Sequence, residues 1–185
     1  ASALAAKEDL PEIPIKIVDS SGVSMSLGYC VLAAAKAAAV GKNLEQVAAA
    51  AEQMSKRVHL LFAVDTLEYL HKGGRIGGAK ALFGTALSIK PLLHFQAGVI
   101  EPLMQVRTKK KAIATMLDVA EERLGGKKMI EAAILDIDVR AEGDQVGEMV
   151  KTRFPGVRLI RSTVSPVVGT HAGPGTIGFA FYGKE

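Results

Sequence analysis

The chain carries a single cysteine, Cys30, among its 185 residues. That excludes an internal disulfide and any zinc site built from several thiolates. Cys30 lies in an apolar helical stretch with no histidine beside it, so it reads as a small core residue rather than a nucleophile. Long apolar runs are missing too: no stretch of about 18 residues is apolar enough for a membrane helix. The Ala-rich start has no basic segment leading into an apolar one, so no signal peptide is expected, and the cytoplasm is the expected compartment. Neither sign of charge dominates, with 23 Lys and Arg against 19 Asp and Glu. The formal net charge of +4 could favour anionic partners but does not by itself indicate nucleic acid. There is no Gly-x-Ser-x-Gly elbow, and His59, His71 and His94 stand apart without ligand spacing, so neither a hydrolase nor a metal site is expected.

What is present is a globular composition, 49% hydrophobic and 23% charged. A chain of this length buries roughly 70% of its unfolded surface and needs no staple. Residues 1–12 form a short helical tail before Pro14. Ile15–Asp19 reads as a strand, and Ser24 or Ser26 as the cap of a helix that stops at Gly41. Asn43 caps a second helix with Glu45 and Gln46 in its first turn. His59–Val64 is a buried strand, followed by a short helix, Leu67–His71, capped by Asp65 or Thr66. Gly77-Gly78 opens a helix through Ala86. Leu92–Phe95 and Val99–Val106 pair across the turn 96–98. Thr108 caps a long helix that ends at Gly125-Gly126. Met129–Ile137 and Val157–Ser162 are strands flanking a helix, Glu142–Phe154, and the chain returns as a last strand. Strands and helices alternate, which indicates α/β architecture. A boundary is expected near residue 57, giving segments 1–57 and 58–185. The first holds one strand and cannot make a sheet alone.

Two motifs carry opposed readings. Arg107-Thr-Lys-Lys-Lys111 is either the solvated first turn of a helix or an anion-attracting face, since cations there oppose the helix dipole. No aromatic residue is interleaved with it for base stacking, so nucleic acid is not the expected partner. Lys72-Gly-Gly-Arg75 sets a guanidinium just past a helix end, as a plain chain reversal or as a fork for phosphate or carboxylate. Gly173-Pro-Gly175-Thr-Ile-Gly178 matches the dinucleotide fingerprint in letters only. A proline interrupts it, a strand follows it, and the chain ends before the acidic residue such a site needs, so no cofactor is expected. The segment Ser165–Tyr182 is the most informative. An apolar run stops at Gly169-Thr170-His171, where a hydroxyl and an imidazole stand in backbone free to turn, suited to a polar head group against an apolar body.

Four segments together resemble the DegV family of bacterial fatty-acid-binding proteins. They are Val18–Gly28, Val64–Ile76, Ile89–Leu93 with Val106–Ala112, and Ser165–Tyr182. The resemblance implies two α/β lobes with one long-chain fatty acid held between them. It implies a non-catalytic subunit that presents the bound carboxylate to a separate fatty-acid kinase subunit. Here the expected fold is the remnant of a first α/β lobe plus a C-terminal lobe with a mixed, partly antiparallel sheet flanked by helices. The family's opening half-lobe, with hydroxyl residues that grip the carboxylate, has no counterpart in this sequence. The chain therefore reads as a C-terminal portion, and apolar surface left uncovered could drive dimerisation.

Carried over by position, the resemblance sets His171 beside the ligand carboxylate, with Gly169 and Thr170 shaping the same end. It sets Arg75 and Arg107 near the head-group entrance, where with Lys109 they would meet the kinase. Leu60, Phe62, Leu82 and Phe83 are the candidate tail contacts, with plain core packing the simpler reading of each. The alternative is a lipid-independent interaction module that uses the Lys109–Lys111 face on an acidic protein or nucleic acid.

Overall fold

A computed structural model describes residues 2–83 and 89–184. The chain divides into two compact units, residues 1–58 and 59–185. The first contains three helices, α1 (Ser2–Glu8), α2 (Ser24–Ala39) and α3 (Leu44–Arg57). Asn43 opens α3 with a reciprocal cap. Its side chain accepts from the Gln46 N–H at 3.0 Å, and the Gln46 side chain accepts from the Asn43 N–H at 3.2 Å. Tyr29 and Cys30 of α2 and Ala48, Ala51 and Met54 of α3 are the buried apolar residues of this unit. The Cys30 thiol donates to the Ser26 carbonyl at 3.3 Å, and burial pushes its pKa up, which keeps it a thiol.

Two expectations fail in this unit. Ile15–Asp19 forms no strand, because no other strand exists among the described residues of the unit to accept its ladder bonds. Neither serine caps α2 as expected. Val23 holds the cap position, and Ser26 works from inside the first turn, accepting from the Val23 N–H at 3.1 Å and donating to the Val23 carbonyl at 2.7 Å.

The second unit is built on a six-stranded sheet of order β3-β2-β1-β6-β4-β5. The strands are β1 (His59–Ala63), β2 (Lys90–Gln96), β3 (Val99–Val106), β4 (Met129–Asp136), β5 (Arg158–Thr163) and β6 (Ile177–Gly183). Every pairing is antiparallel except β4 with β5, which the helix α6 (Arg140–Arg153) joins as a parallel crossover. Ala97 and Gly98 turn the β2–β3 hairpin with φ of 50° and 80°. On one sheet face Leu61, Leu92, Ile134, Phe179 and Phe181 pack with Met116 and Leu117 of α5 (Lys109–Leu124) and Val146 and Val150 of α6. Phe62, Val64 and Leu93 pack elsewhere, with Leu67 and Leu70 around α4 (Glu68–Lys72) and Ile76 and Leu82 around a 3-10 helix, Gly77–Leu82.

The helix expected from Gly77 to Ala86 is thus a 3-10 turn as far as Leu82; residues 84–88 lie outside the described residues. Gly77 has φ +52°, and a Cβ there would strike the Ile100 carbonyl, so the turn starts from backbone that only glycine tolerates. Strand register then fixes where function can gather. Ala63 faces Leu92 and Ile177, Asp136 faces Ile177, and Lys90 faces Val106. One end of the sheet therefore receives Asp65, Lys90, Arg107, the start of α5 and the turn that enters β6.

Candidate functional site

Gly169-Thr170-His171 lies in a helix rather than in freely turning backbone. Helix α7 runs from Pro166 to Ala172. Pro166 has the φ a first helical turn wants and no amide to lose there, so Ser165-Pro166 starts a helix that the glycines alone would not suggest. The Gly169 amide donates to the Ser165 carbonyl at 2.8 Å, and Gly173 ends the helix with φ 79°. Helical spacing puts Val167, Thr170 and His171 on one face. Val167 is 75% exposed and Thr170 is exposed, with its hydroxyl donating to the Val167 carbonyl at 2.9 Å. His171 is half-buried. Its Nδ1 is buried without a hydrogen-bond partner, against Gly73, where a Cβ would collide with the ring. Gly169 has room: a Cβ there would come no nearer than 3.9 Å to Ile137.

The basic residues divide into two kinds. Arg75 is exposed just past α4, which closes in a Schellman turn. The Arg75 amide donates to the Leu70 carbonyl at 2.9 Å, and Gly74, at φ 67°, donates to the His71 carbonyl at 3.0 Å. The Arg75 guanidinium donates to the Gly73 carbonyl at 3.1 Å. Arg107, Lys110 and Lys111 are exposed around the first turn of α5, whose cap Thr108 accepts from the Lys111 amide at 3.2 Å. Lys109 differs. Only 16% of its side chain is exposed, and its ammonium lies 2.5 Å from Glu142 and 4.0 Å from Asp65. Lys90 meets the same Asp65 at 3.1 Å. Asp65, Lys90 and Glu142 went unnoticed in the sequence as partners, because strand register and the packing of α6, not spacing, bring them together.

Leu60, Phe62 and Leu82 are all buried, and Phe62 and Leu82 share one core cluster with Val64, Leu67 and Leu70. Phe83 stands outside that cluster, 43% exposed, with its ring stacked on His71 at 4.1 Å. His59 tilts against Phe181, and its pKa is pushed down to about 4, chiefly by burial and secondarily by Arg123. His94 is lowered by the same two causes and shares a hydrogen bond with the Arg123 guanidinium at 3.1 Å. Arginine is always the donor, so His94 Nδ1 is the acceptor.

Gly173–Gly178 runs into β6, whereas the dinucleotide fingerprint opens a helix. Among the described residues no group of three or more His, Cys, Asp or Glu is placed to hold a metal ion. No helix among them is long and apolar enough to cross a membrane.

Comparison with known proteins fits this fold. A family model described as "Uncharacterised protein, DegV family" matches residues 1–184. A DegV domain-containing protein of Streptomyces coelicolor is 40% identical over 178 residues, 96% of this chain and 63% of its own. Protein DegV of Bacillus subtilis is 32% identical over 181 residues, 97% of this chain and 64% of its own. The chain thus spans somewhat under two thirds of the relatives it matches. A solved DegV family protein from Thermus thermophilus, described by its fatty acid binding, superposes with a TM-score of 0.86 at 34% identity, covering 98% of this chain and 65% of that one. The solved DegV of Bacillus subtilis, described as a fatty acid binding protein, gives 0.87 at 33%, covering 99% and 65%. The mixed six-stranded sheet, the order of the motifs and the match along nearly the whole sequence agree: this chain belongs to the DegV family.

Proposed function

We propose that this chain contributes the head-group end of a long-chain fatty-acid site. The observation that carries the reading is the α7 face. An exposed valine, a hydroxyl and an imidazole with a buried, unpartnered nitrogen stand together there, in a chain whose solved relatives are described as fatty-acid-binding. Burial of Nδ1 leaves Nε2 as the ring nitrogen for a ligand. A carboxylate drawn out of water beside an apolar tail needs such a donor, because an unpaired charge there is costly. Each buried methylene of the tail adds about 0.8 kcal/mol. Gly169 gives the head group room, and Leu60, Phe62, Leu82 and Phe83 are the tail contacts of the proposal. Three of the four already pack in the core, so a tail reaching them must part that packing.

The chain is further assigned no chemistry of its own. It would present the carboxylate to a separate fatty-acid kinase subunit, in the cytoplasm, with exposed Arg75 and Arg107 meeting the partner or the forming acyl phosphate. Lys109 is the weakest member of that face, because Asp65 and Glu142 already neutralise it. The same fact weakens the rival reading of a lipid-independent basic module. Uncovered apolar surface would favour a dimer, and sedimentation as a monomer at high concentration counts against one.

Mass spectrometry of organic extracts tests the reading, on this chain beside the same protein extended upstream. A stoichiometric fatty acid in both places the acyl site in this chain. One found only in the extended protein means that the upstream part completes the site. None in either sinks the proposal. His171→Ala is expected to weaken oleate binding about tenfold, the size of a lost hydrogen bond to a charged group. Arg75→Ala and Arg107→Ala should keep oleate and slow phosphorylation.

A further inference from the structure

Two segments of the second unit meet through three glycines. A Cβ at Gly73 would collide with His171 Nδ1, one at Gly173 with the Tyr69 ring, and one at Gly175 with Asp65 Oδ2. Positions 65, 69 and 73 advance by four while their partners 175, 173 and 171 step back by two. The result is an antiparallel ladder whose rungs are Asp65 on Gly175, Tyr69 on Gly173 and His171 on Gly73. Each rung is a side chain laid directly on glycine backbone. Gly173 and Gly175 hold φ of 79° and 81°, so both the space and the backbone there demand glycine. The Thr176 hydroxyl braces the same turn, within 3.0 Å of the Ala172 carbonyl and 2.9 Å of the Gly173 carbonyl, and the Gly175 amide donates to the Ile137 carbonyl at 2.8 Å.

The first rung carries charge. Asp65 Oδ1 accepts from the Lys90 ammonium at 3.1 Å, Lys109 stands 4.0 Å from Oδ2, and Lys109 in turn meets Glu142 at 2.5 Å. Lys109 is a lysine in the first turn of a helix, where the dipole disfavours it, and it is held inward by two carboxylates.

From this geometry we infer that Asp65 is a positioning residue for His171, an inference that rests on His171 being the head-group residue. Held by Lys90 and Lys109, Asp65 fixes Gly175. Tyr69 fixes Gly173, the exit of α7. The imidazole on the next rung is thereby aimed with Nδ1 inward. Lys109 then serves the interior of the site rather than a partner.

Asp65→Asn keeps the shape of the rung and removes its charge. The test reads the ring signals of His171 by NMR in the 185-residue chain, assigned with His171→Gln, together with oleate affinity. Asp65→Asn is expected to shift the His171 ring and α7 signals and to weaken oleate about fivefold, less than direct loss of a charged contact. Lys109→Met should act in the same direction and more weakly. Glu148→Gln, at an exposed carboxylate of α6 outside the ladder, should leave both readouts at the parent level. A merely structural role would lower stability and leave the native His171 signals where they were. Unmoved His171 signals in Asp65→Asn overturn the inference, and if that variant does not fold, Lys109→Met decides in the same way. A parent chain that takes up no oleate defeats the head-group reading, while the NMR comparison still judges the ladder.

Discussion

Among the described residues, nine of the fifteen large apolar side chains that stand exposed belong to residues 1–58, although that unit is less than half as long as the other. Leu27, Val31 and Leu32 on α2 and Val40 just past it are among them. Residues 59–185 contain a sheet whose central strands β1, β6 and β4 are buried almost throughout, under α5 and α6 and around α4. The contrast is one of architecture. A sheet offers two faces to cover, and each covering helix adds its own apolar stripe. Two Ala-rich helices offer each other one narrow seam, and the buried members of that seam include Ala48 and Ala51. The second unit closes its own core, whereas the first leaves most of its large apolar side chains in contact with solvent.

The largest expected effect tests this difference directly. Phe179→Ala, at a side chain with no exposure in β6, should cost about 3–5 kcal/mol by urea unfolding, from lost burial and the cavity left behind. Val31→Ala on the exposed face of α2 should change stability by no more than about 0.5 kcal/mol. Equal losses at the two sites would mean that the two units are not differently closed.

A second, smaller effect is sharpened by pH and belongs to the sheet unit alone. His59, lowered to about 4, and His94, lowered as well, are neutral in the folded chain. In the unfolded chain they take up protons near their ordinary value, so the unfolded state binds more protons below about 6.5. Stability is therefore full above that pH and falls as the pH drops toward about 4. His59→Gln should flatten this part of the denaturation profile measured between pH 7.5 and 4.5; an unchanged slope would remove His59 as the cause. The smallest of the expected losses, apart from the near-silent Val31→Ala, lies in the first unit. Asn43→Ala removes one half of the α3 cap and should cost about 1 kcal/mol, read as faster hydrogen exchange in α3 than in β4 or β6.

Local chemistry was legible where it acts alone. Thr108 and Gly125 bound α5, and the 96–98 turn closes the β2–β3 hairpin, as the sequence leads one to expect, because each is decided by residues within a few positions. Ile15–Asp19 has a strand's composition but no neighbouring strand to pair with. Helix α7 hides in the sequence because one proline at its start outweighs the glycines around it. The site divides in the same way. His171 and Arg75 stand out by their neighbours in sequence, whereas Lys109 looks like part of a solvated cluster until register brings Asp65 and α6 packing brings Glu142 to its ammonium. Gly173 and Gly175 look like loosening elements and are instead the seats of Tyr69 and Asp65.

The one cysteine, set inside α2 with its thiol on the Ser26 carbonyl, gives the first unit a chemical clock of its own. A thiol-specific reagent added to the native chain meets no other sulfhydryl, and Cys30 is 3% exposed. Modification therefore waits for α2 to open, and its rate at saturating reagent times that opening. Because the sheet unit contains no cysteine, its cooperative unfolding is silent in the same assay. The difference between alkylation rate and global unfolding rate then reports how independently residues 1–58 come undone, without a mutation.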